Sequence, residues 1–233
     1  QSEATFKFIP RMGVYRIQDP TLDITLMCDR ALLALRATKG RFDKRYVWYD
    51  DSMRAALLEK QEITTEMQSA LQCGQFVPFF QPQYNHSTGA MIGAEALARW
   101  VHPQKGLIPP GKFIPLFEAN GFIYELDKSI WEQVCALLRK WLDAGRTPLP
   151  VSVNISRYDV FQDGFYETLT GLMEKYHIPV YLLRLEITES AFAKSTTQII
   201  EMVERLRDFG FLIEIDDFGC GYSSFNTLKD VPA

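Results

Sequence analysis

The stretch VYLLRLEITES (180–190), with its counterparts VSVNIS (151–156) and FLIEIDDFG (211–219), decides the fold. Each stretch is rich in branched apolar residues that alternate with polar ones, which is typical of a strand. Two segments with helical spacing, 163–177 and 195–210, separate them. Because strands and helices alternate at this spacing, we expect an α/β fold with a parallel sheet, either open or closed into a barrel.

Polar side chains recur on one face of each of these strands. Successive strand residues point to opposite faces, so the branched residues are expected to face the helices. The other face then carries Asn154, Glu186 and Asp216, each near the carboxyl end of its strand. In parallel α/β barrels, catalytic sites are built at that end. The alternation therefore predicts a functional site there.

An earlier strand adds a further carboxylate. The segment GAEALARW (93–100) places Glu95 within an otherwise apolar run. A buried charge without a partner is costly, so Glu95 requires a partner, a metal ion or water. One acid alone is more often exposed or paired in a salt bridge. Three acids and an amide gathered at strand ends indicate instead a site for a hard cation, Mg²⁺ or Mn²⁺.

The pattern divides the chain into three parts. The pattern in residues 1–51 predicts a small strand–helix–strand unit, and the pattern in residues 52–75 predicts a connecting helix. Residues 76–233 begin with two strands, at 75–84 and 91–100, that could form a hairpin. A loop rich in proline and glycine is predicted next, at 102–111, followed by helices at 112–120 and 124–144.

Composition excludes several classes of protein. The 233 residues are 47% hydrophobic and 23% charged, which is typical of a globular protein. A net charge of −4 gives no reason to expect a nucleic acid polymer or an anionic membrane as partner. The four cysteines form no CxxC pair, and the start has no signal-peptide core. We therefore expect reduced thiols and a cytoplasmic location, although a longer parent could carry a membrane anchor.

Five motifs, in order along the chain, resemble the EAL domain, a bacterial phosphodiesterase that hydrolyses cyclic di-GMP. They are FFQPQY (79–84), GAEALARWVHPQKGLIPPGKFIPLFEANG (93–121), VSVNIS (151–156), LRLEITES (183–190) and DDFGCGYSS (216–224). The resemblance implies a modified TIM (β/α)8 barrel whose first strand is antiparallel. It also implies that two metal ions activate water for in-line attack on phosphorus, which gives linear di-GMP.

The resemblance also implies roles for individual residues. The implied metal ligands are Glu95, Asn154, Glu186, Asp216 and Asp217. Among these, Glu95, Asp216 and Asp217 are the expected catalytic residues. The expected substrate contacts are Gln81, Leu97 and Arg99, with Arg99 on a phosphate. Glu189 is expected to support the loop at 217–224, which in the family links metal binding to dimer contacts, so a homodimer is implied.

Both ends of the chain depart from complete domains. Residues 1–51 resemble, more loosely, the end of a GGDEF (diguanylate cyclase) domain without its nucleotide-binding half. Residues 76–233 fall short of the roughly 250 residues of a full barrel, so we expect an incomplete barrel. The strands that supply the family's lysine, a later glutamate and a glutamine are absent from this sequence. We therefore expect a fragment of a longer GGDEF–EAL protein that is inactive or poorly folded alone.

Two questions stay open from the residues alone. Glu214 shares the face of Asp216, where the family usually has a small residue, so it could repel a metal or be neutralised by Arg184 or Lys229. The function is also open among three readings. The favoured hypothesis is a phosphodiesterase that is active in the parent chain. The alternatives are an inactive cyclic di-GMP receptor and a protein-interaction module.

Overall fold

The computed structural model describes residues 10–39, 45–188 and 196–216. The chain divides into two compact units, residues 1–65 and 66–233, and helix α2 (Asp51–Gln72) contains the boundary between them. In the part of the chain that the structure describes, no helix combines the length and apolar character needed to cross a membrane.

The first unit is a short strand–helix–strand arrangement, as the sequence predicts. Strand β1 (Met12–Val14) pairs in parallel with β2 (Tyr46–Trp48), and helix α1 (Ile24–Arg36) connects them. Gly13 allows the helix to lie against the strand, since an added Cβ there would come 1.9 Å from the Ala31 carbonyl oxygen. Any side chain at this position would force the two elements apart.

The second unit is built around a sheet in the order β3-β4-β6-β7-β8. The short strand β5 pairs antiparallel with the last three residues of β4. Its strands are β3 (Phe76–Tyr84), β4 (Met91–His102), β5 (Gly106–Ile108), β6 (Val151–Ile155), β7 (Leu183–Thr188) and β8 (Leu212–Asp216). β3 is antiparallel to β4, whereas β4, β6, β7 and β8 run parallel. The predicted fold class, α/β with an antiparallel first strand, is confirmed.

Helices connect and cover these strands. They are α3 (Pro110–Asn120), α4 (Ile123–Asp143), α5 (Arg157–Val160), α6 (Phe165–Tyr176) and α7 (Thr196–Phe209), with a 3₁₀ turn at Val180–Leu182. Three elements differ from the sequence prediction. The stretch at 102–111 was expected to be a loop but contains β5, and α5 was not expected. The strand predicted from residue 180 begins at Leu183, after the 3₁₀ turn. All three elements have fewer than five residues, too few for a periodic pattern to reveal.

The branched strand residues lie in the core, as the alternation predicts. Leu183, Leu185 and Ile187 of β7 are fully buried, and Val153 of β6 is as well. A second part of the core is aromatic and lies where α3 meets the β3–β4 hairpin. Its rings pack at centroid distances of 4.9 to 6.3 Å and belong to Phe76, Trp100, Phe113, Phe117 and Phe122. This packing fixes β4, the strand that carries Glu95.

Candidate active site

The register of the parallel strands places three polar residues side by side. Asn154 of β6 is paired with Glu186 of β7, and Glu186 is paired with Glu214 of β8. Residues paired across neighbouring strands have side chains on the same face of the sheet. The predicted polar face is therefore present, and Asn154 and Glu186 are neighbours on it.

Glu95 joins this group from β4. Its register partner on β6 is Ser152, and its Oε1 accepts a hydrogen bond from Asn154 Nδ2 at 2.9 Å. The partner that the sequence required for this carboxylate is thus, in this structure, the amide of another predicted ligand. Three of the predicted ligands, Glu95, Asn154 and Glu186, are brought together by three different strands.

The Glu186 carboxylate occupies an unfavourable environment for a charge. It is only 6% exposed, and Gln83 Nε2 donates to its Oε1 at 3.2 Å. Burial, above all, and then the charges of Glu95 and Glu214 raise the pKa of Glu186 to about 7. A carboxylate that is desolvated and next to like charge is stabilised in its ionised form by a nearby cation.

Glu214 is neutralised within the sheet. Its Oε1 accepts from Arg184 Nη1 at 3.0 Å, and its Oε2 accepts from the Ser152 hydroxyl at 2.7 Å. Of the two alternatives left open by the sequence, the structure therefore shows the ion pair with Arg184. Lys229 lies outside the described residues.

The remaining predicted metal-site residues are placed differently. Asp216 lies two residues beyond Glu214 on β8, is paired in register with Thr188, and is exposed. Asp217 and Glu189 lie outside the described residues. Among the residues that the structure describes, no three histidine, cysteine, aspartate or glutamate side chains form a complete cation site. The donor atoms of Glu95, Asn154 and Glu186 nevertheless fit a hard cation, because they are oxygen-bearing groups around a buried carboxylate.

A cavity of about 490 Å³ lies beside these residues, at the carboxyl ends of β4, β6 and β7. Leu97, Arg99, Asn154 and Thr188 all contribute to its wall. This volume is within the range of small-molecule binding sites. Two of the three predicted substrate contacts, Leu97 and Arg99, therefore line a cavity that adjoins the candidate metal ligands.

Arg99 and Gln81 occupy distinct positions. Arg99 Nη1 donates to the Ala98 carbonyl at 2.9 Å, and its guanidinium lies 5.9 Å from the ring centroid of Phe79. Gln81 is paired with Glu95 across the β3–β4 hairpin, so the two side chains share a face. Gln81 is exposed and is not part of the cavity wall.

The sequence reasoning missed several residues of this site. Arg157 brings a second guanidinium to the cavity wall, and Gln83 and Ser152 contact the acids. Arg157 follows the last residue of β6 by two positions. The rule that strand carboxyl ends carry functional groups could have identified it. The contact of Gln83 joins residues 103 positions apart, so no local pattern could reveal it.

A pair of buried acids forms another part of the cavity's surroundings. Asp127 of α4 lines the cavity, and the charge of the fully buried Asp159 of α5 acts on its carboxyl group. Burial raises the pKa of both groups, that of Asp127 well above its ordinary range and that of Asp159 to about 6. The charge of Asp159 adds to the effect of burial on the pKa of Asp127, so Asp127 is the acid of the pair with the more strongly raised pKa.

The fold and the site together define a class: an α/β protein with acids and an amide at the carboxyl ends of parallel strands, beside a cavity. Comparison with known proteins specifies the family. The family model described as the EAL domain matches residues 64–233, and the chain belongs to this family.

Curated relatives resemble most of this chain. It is 36% identical over 200 residues to the bifunctional diguanylate cyclase/cyclic di-GMP phosphodiesterase MucR of Pseudomonas aeruginosa, covering 86% of this chain and 29% of MucR. It is 31% identical over 224 residues to the cyclic di-GMP phosphodiesterase PA2567 of the same species, covering 95% of this chain and 38% of that protein. The chain thus spans well under half of the length of each of these two relatives.

Solved structures give the same family. The MucR phosphodiesterase in complex with c-di-GMP superposes with a TM-score of 0.69 at 36% identity, over 74% of this chain and 70% of that one. The EAL enzyme Bd1971, bound to cAMP and cyclic di-GMP, gives a TM-score of 0.69 at 26% identity, over 91% of this chain and 56% of that one.

Proposed function

We propose that the longer protein predicted to carry this chain is a metal-dependent phosphodiesterase that hydrolyses cyclic di-GMP to linear di-GMP. The single observation that carries the proposal is the meeting of Glu95, Asn154 and Glu186 from three strands beside the cavity. Relatives named as cyclic di-GMP phosphodiesterases support it. A cytoplasmic location is part of the same proposal.

The chain's own residues would have distinct tasks. Glu95, Asn154 and Glu186 would hold Mg²⁺ or Mn²⁺, together with Asp216 and Asp217 of the proposed two-metal site. The bound cations would supply charge stabilisation and an activated water. Asn154 donates to Glu95 in this structure, which holds that carboxylate in place.

Substrate binding would use the cavity wall. Arg99 and Arg157 bring two guanidinium groups to a cavity that also has apolar walls, among them Leu97. Guanidinium groups bind phosphate oxygens in a forked geometry, and their planes stack on rings. A cyclic dinucleotide carries both phosphates and bases, so this combination of groups suits it. Gln81 is proposed as a further contact from β3.

The test is turnover of cyclic di-GMP with Mg²⁺ or Mn²⁺ by the full-length protein, by this chain alone, and by full-length Glu95→Ala. We expect the full-length protein to produce linear di-GMP, Glu95→Ala to lose at least about 100-fold in kcat while it stays folded, and the chain alone to be inactive. Undiminished turnover by Glu95→Ala would falsify the role of Glu95, and turnover by the chain alone would contradict the expected dependence on further strands.

A matched control is Glu174→Ala, which removes an exposed carboxylate from helix α6, outside the cavity wall. It is expected to leave turnover unchanged. Tight binding of cyclic di-GMP without hydrolysis by the full-length protein would instead identify the receptor alternative. If the full-length protein neither binds nor hydrolyses cyclic di-GMP, the hypothesis of a protein-interaction module remains.

A further inference from the structure

One contact of the site spans strands that are not neighbours. Gln83 lies on β3, and its amide reaches Glu186 on β7, although β4 and β6 lie between these two strands in the sheet. The contact is possible because the sheet curves, so that residues of its polar face approach one another across the concave side. Gln83 is half-buried, whereas its neighbours Pro82 and Tyr84 on either side are exposed.

Gly93 provides the space for this contact. It is the register partner of Gln83 on β4. A Cβ added at Gly93 would come 3.1 Å from Gln83 Oε1 and 3.0 Å from the carbonyl oxygen of Pro150. Both distances are tighter than ordinary van der Waals contact. The missing side chain at position 93 therefore leaves room for the Gln83 side chain on its way to Glu186.

Two neighbouring side chains, Ser152 and Arg184, donate hydrogen bonds to Glu214. The Ser152 hydroxyl donates its single proton to Glu214 Oε2 at 2.7 Å, and a hydroxyl has only one proton to donate. Arg184 Nη1 is likewise paired with Glu214. The Gln83 amide donates instead to Glu186 Oε1, at an N–O distance of 3.2 Å.

From these observations we infer that Gln83 is a positioning residue, which fixes the orientation of the Glu186 carboxylate toward a divalent cation. The inference rests on the proposed metal-dependent function. The amide engages the Oε1 atom of this carboxylate. Because the amide is neutral, it orients the carboxylate without neutralising its charge. Groups that orient metal ligands through hydrogen bonds typically account for 10- to 100-fold in metal affinity.

The test compares Mn²⁺ binding by the full-length protein and by its Gln83→Met variant, measured by titration calorimetry without substrate. Met has nearly the same length and no amide. We expect about 10-fold weaker Mn²⁺ binding, an unchanged KM for cyclic di-GMP at saturating Mn²⁺, and recovery of kcat as Mn²⁺ is raised. A Gly93→Ala variant should weaken Mn²⁺ binding in the same direction, because its Cβ would displace Gln83.

Gln104→Met is the matched control, since Gln104 is an exposed glutamine in the turn between β4 and β5 and has no part in the site. It should bind Mn²⁺ as the unmodified protein does. Equal Mn²⁺ affinity for Gln83→Met and the unmodified protein would overturn the inference alone. No Mn²⁺ binding by the unmodified protein would overturn both the inference and the proposed metal dependence.

Discussion

The two faces of the same strands are stabilised in different ways. On the face of β7 that packs against helices, Leu183, Leu185 and Ile187 have no exposed surface. On the opposite face, Arg184 and Glu186 alternate with them and contact Glu214 and Gln83. One face is stabilised by the burial of apolar surface, and the other by specific polar pairs.

This difference determines how each face responds to change. We call the face that packs against helices the outer face and the opposite, polar face the inner face. Truncating an apolar residue of the outer face lowers the free energy of unfolding in proportion to the volume removed and the cavity left behind. Removing a polar residue of the inner face lowers it through the partner that is left without a hydrogen bond. Truncation should therefore be costly at any position of the outer face, and on the inner face only where one member of a pair is removed.

The largest effect is expected from Leu185→Ala on the outer face. This change leaves a cavity under the helices and should lower the free energy of unfolding by about 2–5 kcal/mol. Urea unfolding followed by circular dichroism measures it. Leu212→Ala, at an exposed leucine on β8, is the matched control and should cost well under half as much. Equal losses for the two variants would contradict the division between faces.

A smaller effect is expected when the inner face loses one member of a pair. Arg184→Met leaves the Glu214 carboxylate without its guanidinium partner, and should lower the free energy of unfolding by about 1–3 kcal/mol. The double variant Arg184→Met/Glu214→Gln should recover most of this loss, because no unpaired charge remains. Urea unfolding of the two single variants and the double variant gives the coupling energy. Strictly additive losses would show that the ion pair contributes nothing.

The smallest effect concerns the two buried acids beside the cavity, Asp127 and Asp159. Because burial raises the pKa values of Asp127 and Asp159, the folded chain binds more protons than the unfolded chain above their ordinary carboxyl range. The contribution is complete below about pH 3.8 and is lost as the pH rises through about 6. Stability should therefore fall from pH 5 to pH 8.

Asp127→Asn imitates the protonated carboxyl and should reduce this fall by about 1 kcal/mol. Urea unfolding at pH 5 and pH 8 measures the change, and Asp163→Asn, at an exposed residue just after α5, is the control. A pH dependence identical in Asp127→Asn and the unmodified chain would show that the Asp127 carboxyl is not the source of this fall.

Much of this architecture could be predicted from the sequence because it depends on alternation. The period of two in VSVNIS and LRLEIT assigned Asn154 and Glu186 to one face, and the register confirms that they are neighbours. The match of residues 64–233 to the EAL family confirms the resemblance that the five motifs indicated. The roles of Asp217 and Glu189 stay predictions, since both lie outside the described residues.

The remainder depends on distances that alternation does not encode. Whether Glu214 meets Arg184 or Lys229 is decided by rotamers and strand register, and the sequence offered either partner. The contact between Gln83 and Glu186 depends on the curvature of a sheet several strands wide. The acid pair joins a long helix to a helix of four residues, which sequence periodicity cannot detect. Long-range polar pairing was therefore the part that only the structure could supply.

Trp131 gives the site an optical reporter. Its indole is 1% exposed, lines the cavity, and donates from Nε1 to the backbone carbonyl of Asn154 at 3.1 Å. Of the four tryptophans in the sequence, it is the one in the cavity wall. An anionic ligand that enters the cavity changes the electric field and the polarity around this ring. The intrinsic fluorescence of the protein can therefore follow occupancy of the cavity without any added label.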